Sequence, residues 1–337
     1  MRHSNANTSP AAGFLRTIVL PVVALAAVYQ IVVVAFGKND YYMYVLTLAC
    51  MNVILATSLN LINGFTGQFS LGHAGFMAVG AYMAGSLTKF LGVSFVPALL
   101  VGAVCAAMAG VLVGLPTLRL RGDYLAIATL GFGEIIRMLI IASDQIGLGF
   151  LEGPRGVMGI SKFTTFAWAF LFAGVTVWVI ANFIWSTHGR ACISVREDEV
   201  AAEAMGVDTT RYKVMAFSIG AGFAGLAGGL HAHFLQMLHP SSYDFLKTVD
   251  YMVMVVVGGM GSLTGSAVAA VLLTVFNEVL RKMMELRMLV YAVCLIAVML
   301  TRPQGLLGGK EFSLGLLRFL VPASKRHSAR GDERGVA

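Results

Sequence analysis

Polar side chains inside long apolar runs are costly in lipid unless they face a cavity or a partner, so they are where this chain's chemistry is sought first. Asn52, Asn60 and Asn63 fall within about an 80° arc of one apolar helix, at 100° per residue, and make a polar stripe. Gln68, Ser70 and His73 follow at the entrance to the next helix. Glu134 and Arg137 stand three residues apart in a later run and can pair across one turn. Two readings of them stay open: a structural pair near a helix end, or groups that line or support a solute path together with Asn60, Asn63, Gln68, Ser70 and His73. No nucleophile and base stand at useful spacing, which ranks a membrane-embedded enzyme last and leaves no catalytic residue to name.

Three other motifs are set aside. His231 and His233 flank Ala232, and positions two apart on a helix point to nearly opposite faces, so packing outweighs a shared metal. Gly220-Ala221-Gly222-Phe223-Ala224-Gly225 satisfies a GxGxxG pattern, but it lies inside an apolar helix with no strand before it and no acidic residue at the right distance after it. Gly309-Lys310 imitates part of a phosphate loop, yet Gln304 stands at its first glycine position and Glu311 where Ser or Thr would hold magnesium. No metal or cofactor is expected on this chain, and if ATP drives it, ATP and magnesium sit on a partner.

The most distinctive polar stretch is 189–206, from Gly189 and Arg190 through Arg196, Glu199, Ala201, Ala202 and Glu203 to Gly206. It reads as a short helix with a glycine stop. Val195, Val200, Ala202 and Met205 supply apolar contacts while Arg196, Glu197, Asp198, Glu199 and Glu203 supply charge. That suits a helix docking into a partner's groove, and a merely solvated surface helix fits the pattern equally well.

The elements that position these groups are membrane helices. Of 337 residues, 58% are hydrophobic and 12% charged, and mean hydropathy is +0.80, whereas soluble proteins carry about 25% charged residues. The net charge of +7 gathers at segment ends and in the tail, as in proteins oriented by cytoplasmic Lys and Arg, and it does not call for nucleic acid. Cys50, Cys105, Cys192 and Cys294 are scattered and predict neither disulfide nor metal framework. Apolar runs near 17–36, 41–62, 72–90, 94–114, 123–142, 164–185, 214–235, 249–280 and 287–301 are long enough to span lipid. The first reads as a retained helix rather than a cleaved leader, despite Ala24-Leu25-Ala26.

The eighth run is too long for one span and contains Gly258-Gly259-Met260-Gly261-Ser262, which predicts a break there. Lys and Arg near the N-terminus, at Arg119 and Arg121, in 186–213 and in the tail mark one side. They agree only if 249–280 crosses twice or re-enters. The expectation is an all-α polytopic protein of about ten segments with both termini cytoplasmic; Arg281, Lys282 and Arg287 then fall outside. A Gly-rich stretch around Gly67–Gly72 matches Gly261–Gly265 briefly, one in each half, leaving open an internal repeat of the kind transporters use. The glycines of 72–85 and 220–229 let helices approach closely. Residues 1–308 form one membrane domain including 189–206, and 309–337 a basic, flexible cytoplasmic tail.

Six separated motifs in order carry a resemblance: Asn63–Phe76, Leu118–Tyr124, Thr129–Glu134, the 189–206 loop, Gly258–Ser262 and Arg302-Pro303-Gln304-Gly305-Leu306. From about Tyr41 to Gly308 the chain resembles the M-type (LivM-like) permeases of branched-chain amino acid ABC importers. The resemblance implies a transport subunit of a bacterial inner membrane, with 189–206 as the loop that touches an ATPase. It also implies a homologous second permease, two cytoplasmic ATPases and a periplasmic binding protein that selects the solute. Importer permeases carry Glu-Ala-Ala with Gly four positions later; here Val200 replaces that Glu ahead of Ala201, Ala202 and Gly206, with Glu199 and Glu203 beside it. Related permeases serve urea or amides, and a secondary transporter or channel acting alone is the rival from another class.

Overall fold

The computed structural model describes residues 20–37, 39–117, 120, 122–145, 152–283, 290, 292, 293, 296 and 305. The described chain is nearly all helix. In order come α1 (Leu20–Phe36), α2 (Asp40–Asn60), α3 (His73–Leu91), α4 (Phe95–Thr117), α5 (Asp123–Ile141), β1 (Val157–Met158), α6 (Phe166–Trp185), α7 (Thr187–Glu197), α8 (Glu199–Ala204), α9 (Thr209–Leu235), β2 (Met237–Leu238), α10 (Phe245–Gly258) and α11 (Leu263–Val279). Lipid offers no partner to backbone N–H and C=O, so apolar runs of this length satisfy them internally as helix. Five described helices are long and apolar enough to cross a membrane: α2 with the turn that extends it to Phe65, α4, α5, α6 and α9. The fold is that of an all-α polytopic membrane protein. The tail 309–337 and most of the run 287–301 lie outside the described residues. Helix α1 belongs to one compact unit and residues 41–311 form the other, which holds everything that follows.

Local chemistry sets the helix ends. Asp208, Asp244 and Ser262 each accept the N–H three residues on, at 3.0, 3.2 and 3.1 Å, and so start α9, α10 and α11. Pro116 sits in the last turn of α4, one residue before the helix stops.

Burial separates an inner set of helices from an outer one. The α2 span is 78% buried and α9 61%, against 22% for α5 and 28% for α6. Small residues make the centre: Gly80 of α3 lies against the backbone of Gly225 of α9, and a methyl on Gly102 of α4 would stand 2.7 Å from Gly80 O. The two glycine-rich segments therefore serve close helix approach, as expected in the absence of a hydrophobic drive between helices in lipid. Phe76 meets Phe217 edge-on at 5.5 Å within that core.

The eighth apolar run folds as a hairpin. Helix α10 ends at Gly258, and α11 returns from Leu263 with Gly265 packed on Gly258. Three side-chain contacts lay α11 antiparallel to α2: Tyr41 Oη donates to Glu278 at 2.8 Å, Asn52 Nδ2 to Thr274 Oγ1 at 2.8 Å, and Asn60 Nδ2 to Ser262 O at 2.8 Å. Arg281 pairs with Glu278 at 2.9 Å, at the end of the bundle opposite the break. Strands β1 and β2 pair antiparallel, Val157 with Leu238 and Met158 with Met237, against α3 near Gly85.

Candidate functional site

Two interruptions meet at one end of the bundle. In the first, α2 widens into a π-helical turn, Leu61–Phe65, and the chain then runs unwound to α3. In the second, Gly259 and Gly261 take φ of +105° and +81° between α10 and α11. Interrupted backbone inside an apolar bundle needs partners, and side chains supply them. Asn63 Oδ1 accepts Ser70 N at 3.2 Å, Thr129 Oγ1 accepts Leu71 N at 3.0 Å, and Thr248 Oγ1 accepts Ala74 N at 3.0 Å. Asn60 binds the second interruption to the first, donating to Ser262 O and accepting Gly261 N at 2.9 Å.

The sequence-derived path residues fall into two places. Asn60, Asn63, Gln68, Ser70 and His73 are brought together at the first break, and all five are buried. His73 Nε2 meets Ser58 Oγ at 3.0 Å. Glu134 and Arg137 pair at 2.7 Å on α5, partly exposed; Glu134 borders a narrow cleft with Leu71, Gly72, Ala74 and Thr248, next to that group along the chain. His231 and His233 bond to Tyr243 Oη and Thr88 Oγ1, at 3.4 and 3.0 Å, so each is engaged in packing. Thr129 and Thr248 are supports that the search for Asn, Gln, His and charge passed over. Their signal was there, as hydroxyls in apolar helices.

Beneath the breaks lies the polar segment. It is two helices rather than the single one read from the sequence: Asp198 leaves helical geometry and caps α8, its Oδ1 accepting Val200 N at 2.9 Å and Ala201 N at 3.0 Å. The expected apolar set divides accordingly. Val195 and Ala202 are buried, while Val200 and Met205 are 64% and 84% exposed. Gly206 closes α8 in the left-handed region, φ +83°. Gly189 lies against the backbone of Phe183 and Ile184, where a side chain would open the corner between α6 and α7. Arg190, Ala201 and Glu203 face outward.

The inner face of the α7–α8 segment is pinned in three ways. Cys192, with Leu61 and Phe65 of the first break, Leu263 of the second, and Ile180, Ile184 and Ala216, makes one apolar cluster. Glu199 pairs with the buried Lys213 of α9 at 2.7 Å. Arg196, anchored by Glu197, donates from Nη1 to Gly64 O at 2.9 Å. A methyl on Gly67 would stand 2.8 Å from Arg196 Cγ, and one on Gly261 2.9 Å from Arg196 Nη1. One guanidinium thus reaches both breaks.

Residues 41–299 match the model of the branched-chain amino acid transport system permease component family. The chain belongs to this family. Among its relatives, this permease is 37% identical over 295 residues to the Escherichia coli K12 high-affinity branched-chain amino acid transport system permease protein LivM, covering 77% of this chain and 68% of that one. It is 24% identical over 291 residues to LivH of Salmonella typhimurium, covering 79% and 94%, and 23% over 237 residues to a probable LivM of Methanocaldococcus jannaschii, covering 63% and 69%. No solved structure matches it. The match begins where α2 begins and takes in both breaks and the α7–α8 segment, so the joint lies within the part of this permease that the family shares.

Proposed function

We propose that this chain is the transmembrane permease subunit of an ATP-binding-cassette importer that carries branched-chain or related amino acids into the cytoplasm across a bacterial inner membrane. Relatives of two kinds, LivM and LivH, support pairing with a homologous second permease. Two cytoplasmic ATPases carry ATP and magnesium, and a periplasmic binding protein delivers the solute. The end of the bundle that carries Arg190, Arg196, Arg211 and Lys213 faces the cytoplasm, by the positive-inside rule.

The observation that supports this reading best is the place of Arg196. The α8 surface offers an ATPase the exposed Val200 and Met205, with Glu203 beside them. Movement of α7 and α8 on ATP binding pulls Gly64 and Gly261 through one side chain, and so tilts α2 and the α10–α11 hairpin together. Asn63, Gln68, Ser70 and His73 rearrange as the first break moves, while Glu134 and Arg137, paired within α5, border the cleft beside it.

The test is Arg196→Gln in the reconstituted importer. Loss of a charge-assisted bond at the joint lowers solute-stimulated ATP hydrolysis and uptake by about tenfold, with all subunits still co-purifying. Gly206→Val, which strains the stop of α8, lowers both in the same way. Unchanged coupling in both variants would overturn the assignment of 189–206 as the ATPase-contacting segment.

A further inference from the structure

A cavity of about 320 Å³ lies between α2, the last turn of α9, α10 and α11, in the half of the bundle away from the breaks. Its volume is within the range of about 300–1,000 Å³ typical of small-ligand pockets. Its chemistry is divided. Met51, Leu55, Met77 and Met254 line the apolar part, and Lys247 and Asp250, one turn apart on α10, place a cation and an anion at its edge.

That pair is loosely made. Lys247 Nζ stands 3.5 Å from Asp250 Oδ2, beyond the 2.7–3.2 Å of a well-formed N–H···O bond. An ammonium offers three donors and a carboxylate about four acceptor sites, so one long contact leaves most of both capacities unused. A surface pair of this spacing does little for a helix, and nothing else in the contacts of α10 requires it.

We infer that this cavity is where the solute rests in transit: an aliphatic α-amino acid with its carboxylate on Lys247, its ammonium on Asp250 and its side chain among the methionines. The inference rests on the permease reading and adds to it the residues that touch the solute. Opposite charges one helical turn apart match the two ends of a zwitterion, which a sugar, an inorganic ion or a simple amine does not present. Thioether side chains are unbranched and adaptable, so they accept differently branched aliphatic groups without a fixed mould. The side chains of Lys247 and Asp250 remain 49% and 40% exposed; charges that water still reaches hold a solute weakly, and a conduit must release what it binds. Two walls of the cavity belong to α2 and α10, the helices that end at the breaks touched by Arg196. A pull on the joint therefore alters the cavity's shape.

The experiment uses the complete importer in proteoliposomes, with radiolabelled L-leucine and L-valine as probes. Lys247→Gln and Asp250→Asn each lower leucine uptake by about tenfold, the loss of one charge-assisted hydrogen bond, whereas Lys162→Gln, at an exposed site outside the cavity, transports as wild type. Leu48→Trp, which fills the apolar side, lowers leucine uptake more than valine uptake, a shift that lost stability alone does not produce. If all three cavity variants transport both solutes like wild type, the cavity assignment falls and the permease reading stands. If wild-type proteoliposomes take up no leucine with ATP, both fall.

Discussion

The two helix breaks are alike in composition and unlike in how their polar side chains are satisfied. The second closes over four residues: Gly259 N returns to Val255 O at 3.0 Å, Ser262 N to Gly259 O at 3.0 Å, Ser262 Oγ caps Gly265 N, and Asn60 takes Gly261 N and Ser262 O. The first is longer, and its named backbone groups are held as well. Its side chains are not. Asn63 Nδ2, both polar atoms of the Gln68 amide, Ser70 Oγ and His73 Nδ1 are buried and without a hydrogen bond among the described residues. An unmet atom of this kind costs about 1–3 kcal/mol, and their concentration in one segment gives the first break bonding capacity for water, solute or another arrangement that the second break lacks. In the proposed cycle the second break, whose capping and bridging groups are all engaged, turns as one rigid unit, the pivot about which the side chains of the first rearrange.

Asn60→Leu attacks the pivot and has the largest expected effect. It leaves Gly261 N without its side-chain acceptor inside the bundle and takes one of three donors from Ser262 O, at a cost of about 2–4 kcal/mol. The thermal midpoint of the purified complex falls accordingly; an unshifted midpoint would show that Asn60 does not hold the breaks together. Gln68→Leu acts on the moving element, with the opposite sign. It replaces an unpartnered buried amide by an apolar group of similar size, which stabilises the observed conformation by about 1–2 kcal/mol and slows transport several-fold. A Gln68→Leu protein that is less stable yet transports normally would remove the asymmetry between the breaks.

How much of this was legible in the sequence depends on the kind of signal. Helix existence follows from apolar run length, and the division of 249–280 follows from its excess length together with the glycines and Ser262; both are one-dimensional facts. The clustering of Asn60 with Gly261 and of Arg196 with Gly64 joins residues 201 and 132 positions apart, and no local pattern encodes that. Arg196 stood out as a charge on a soluble-looking helix, but its role at the breaks emerges only when α7 packs under them. The single short helix read over 189–206 takes no account of Asp198 as a cap. Asp198 beginning a second helix changes the face of every later residue, turning Val200 and Met205 outward. The cavity of α10 has no local signal either: Lys247 and Asp250 gain meaning only when Met51 and Met77 are placed beside them.

Cys192 sharpens the comparison as a reporter of movement. It lies on α7 beneath Leu61 and Phe65 of the first break, and burial pushes its thiol up to about 11. Only the thiolate reacts, so at pH 8 roughly one molecule in a thousand is ready for alkylation. In a protein with Cys192 as its sole cysteine, maleimide labelling is therefore slow at rest and speeds up as pH rises toward 11. If the first break lifts during turnover, ATP and solute together accelerate labelling several-fold at fixed pH. Labelling indifferent to turnover would place the movement elsewhere.

Ser266→Ala carries the smallest expected effect and tests the pivot from the other side. The Ser266 hydroxyl donates to Ser262 O at 3.1 Å. That carbonyl also receives Asn60 Nδ2 at 2.8 Å and Ser266 N at 3.1 Å, so losing the hydroxyl removes one neutral bond and leaves no orphan acceptor. The cost is about 1 kcal/mol or less. An element that merely turns as a unit transports normally with one redundant bond gone, whereas an element that must break and remake its bonds in each cycle changes its rate when one is removed. Uptake by the Ser266→Ala importer therefore stays within about twofold of wild type, since about 1 kcal/mol lost equally from both end states and the transition state leaves the barrier unaltered. A larger change in rate without a matching change in stability would mean that the second break also rearranges, and that the pivot lies in Asn60 and α2 rather than between Gly259 and Ser262.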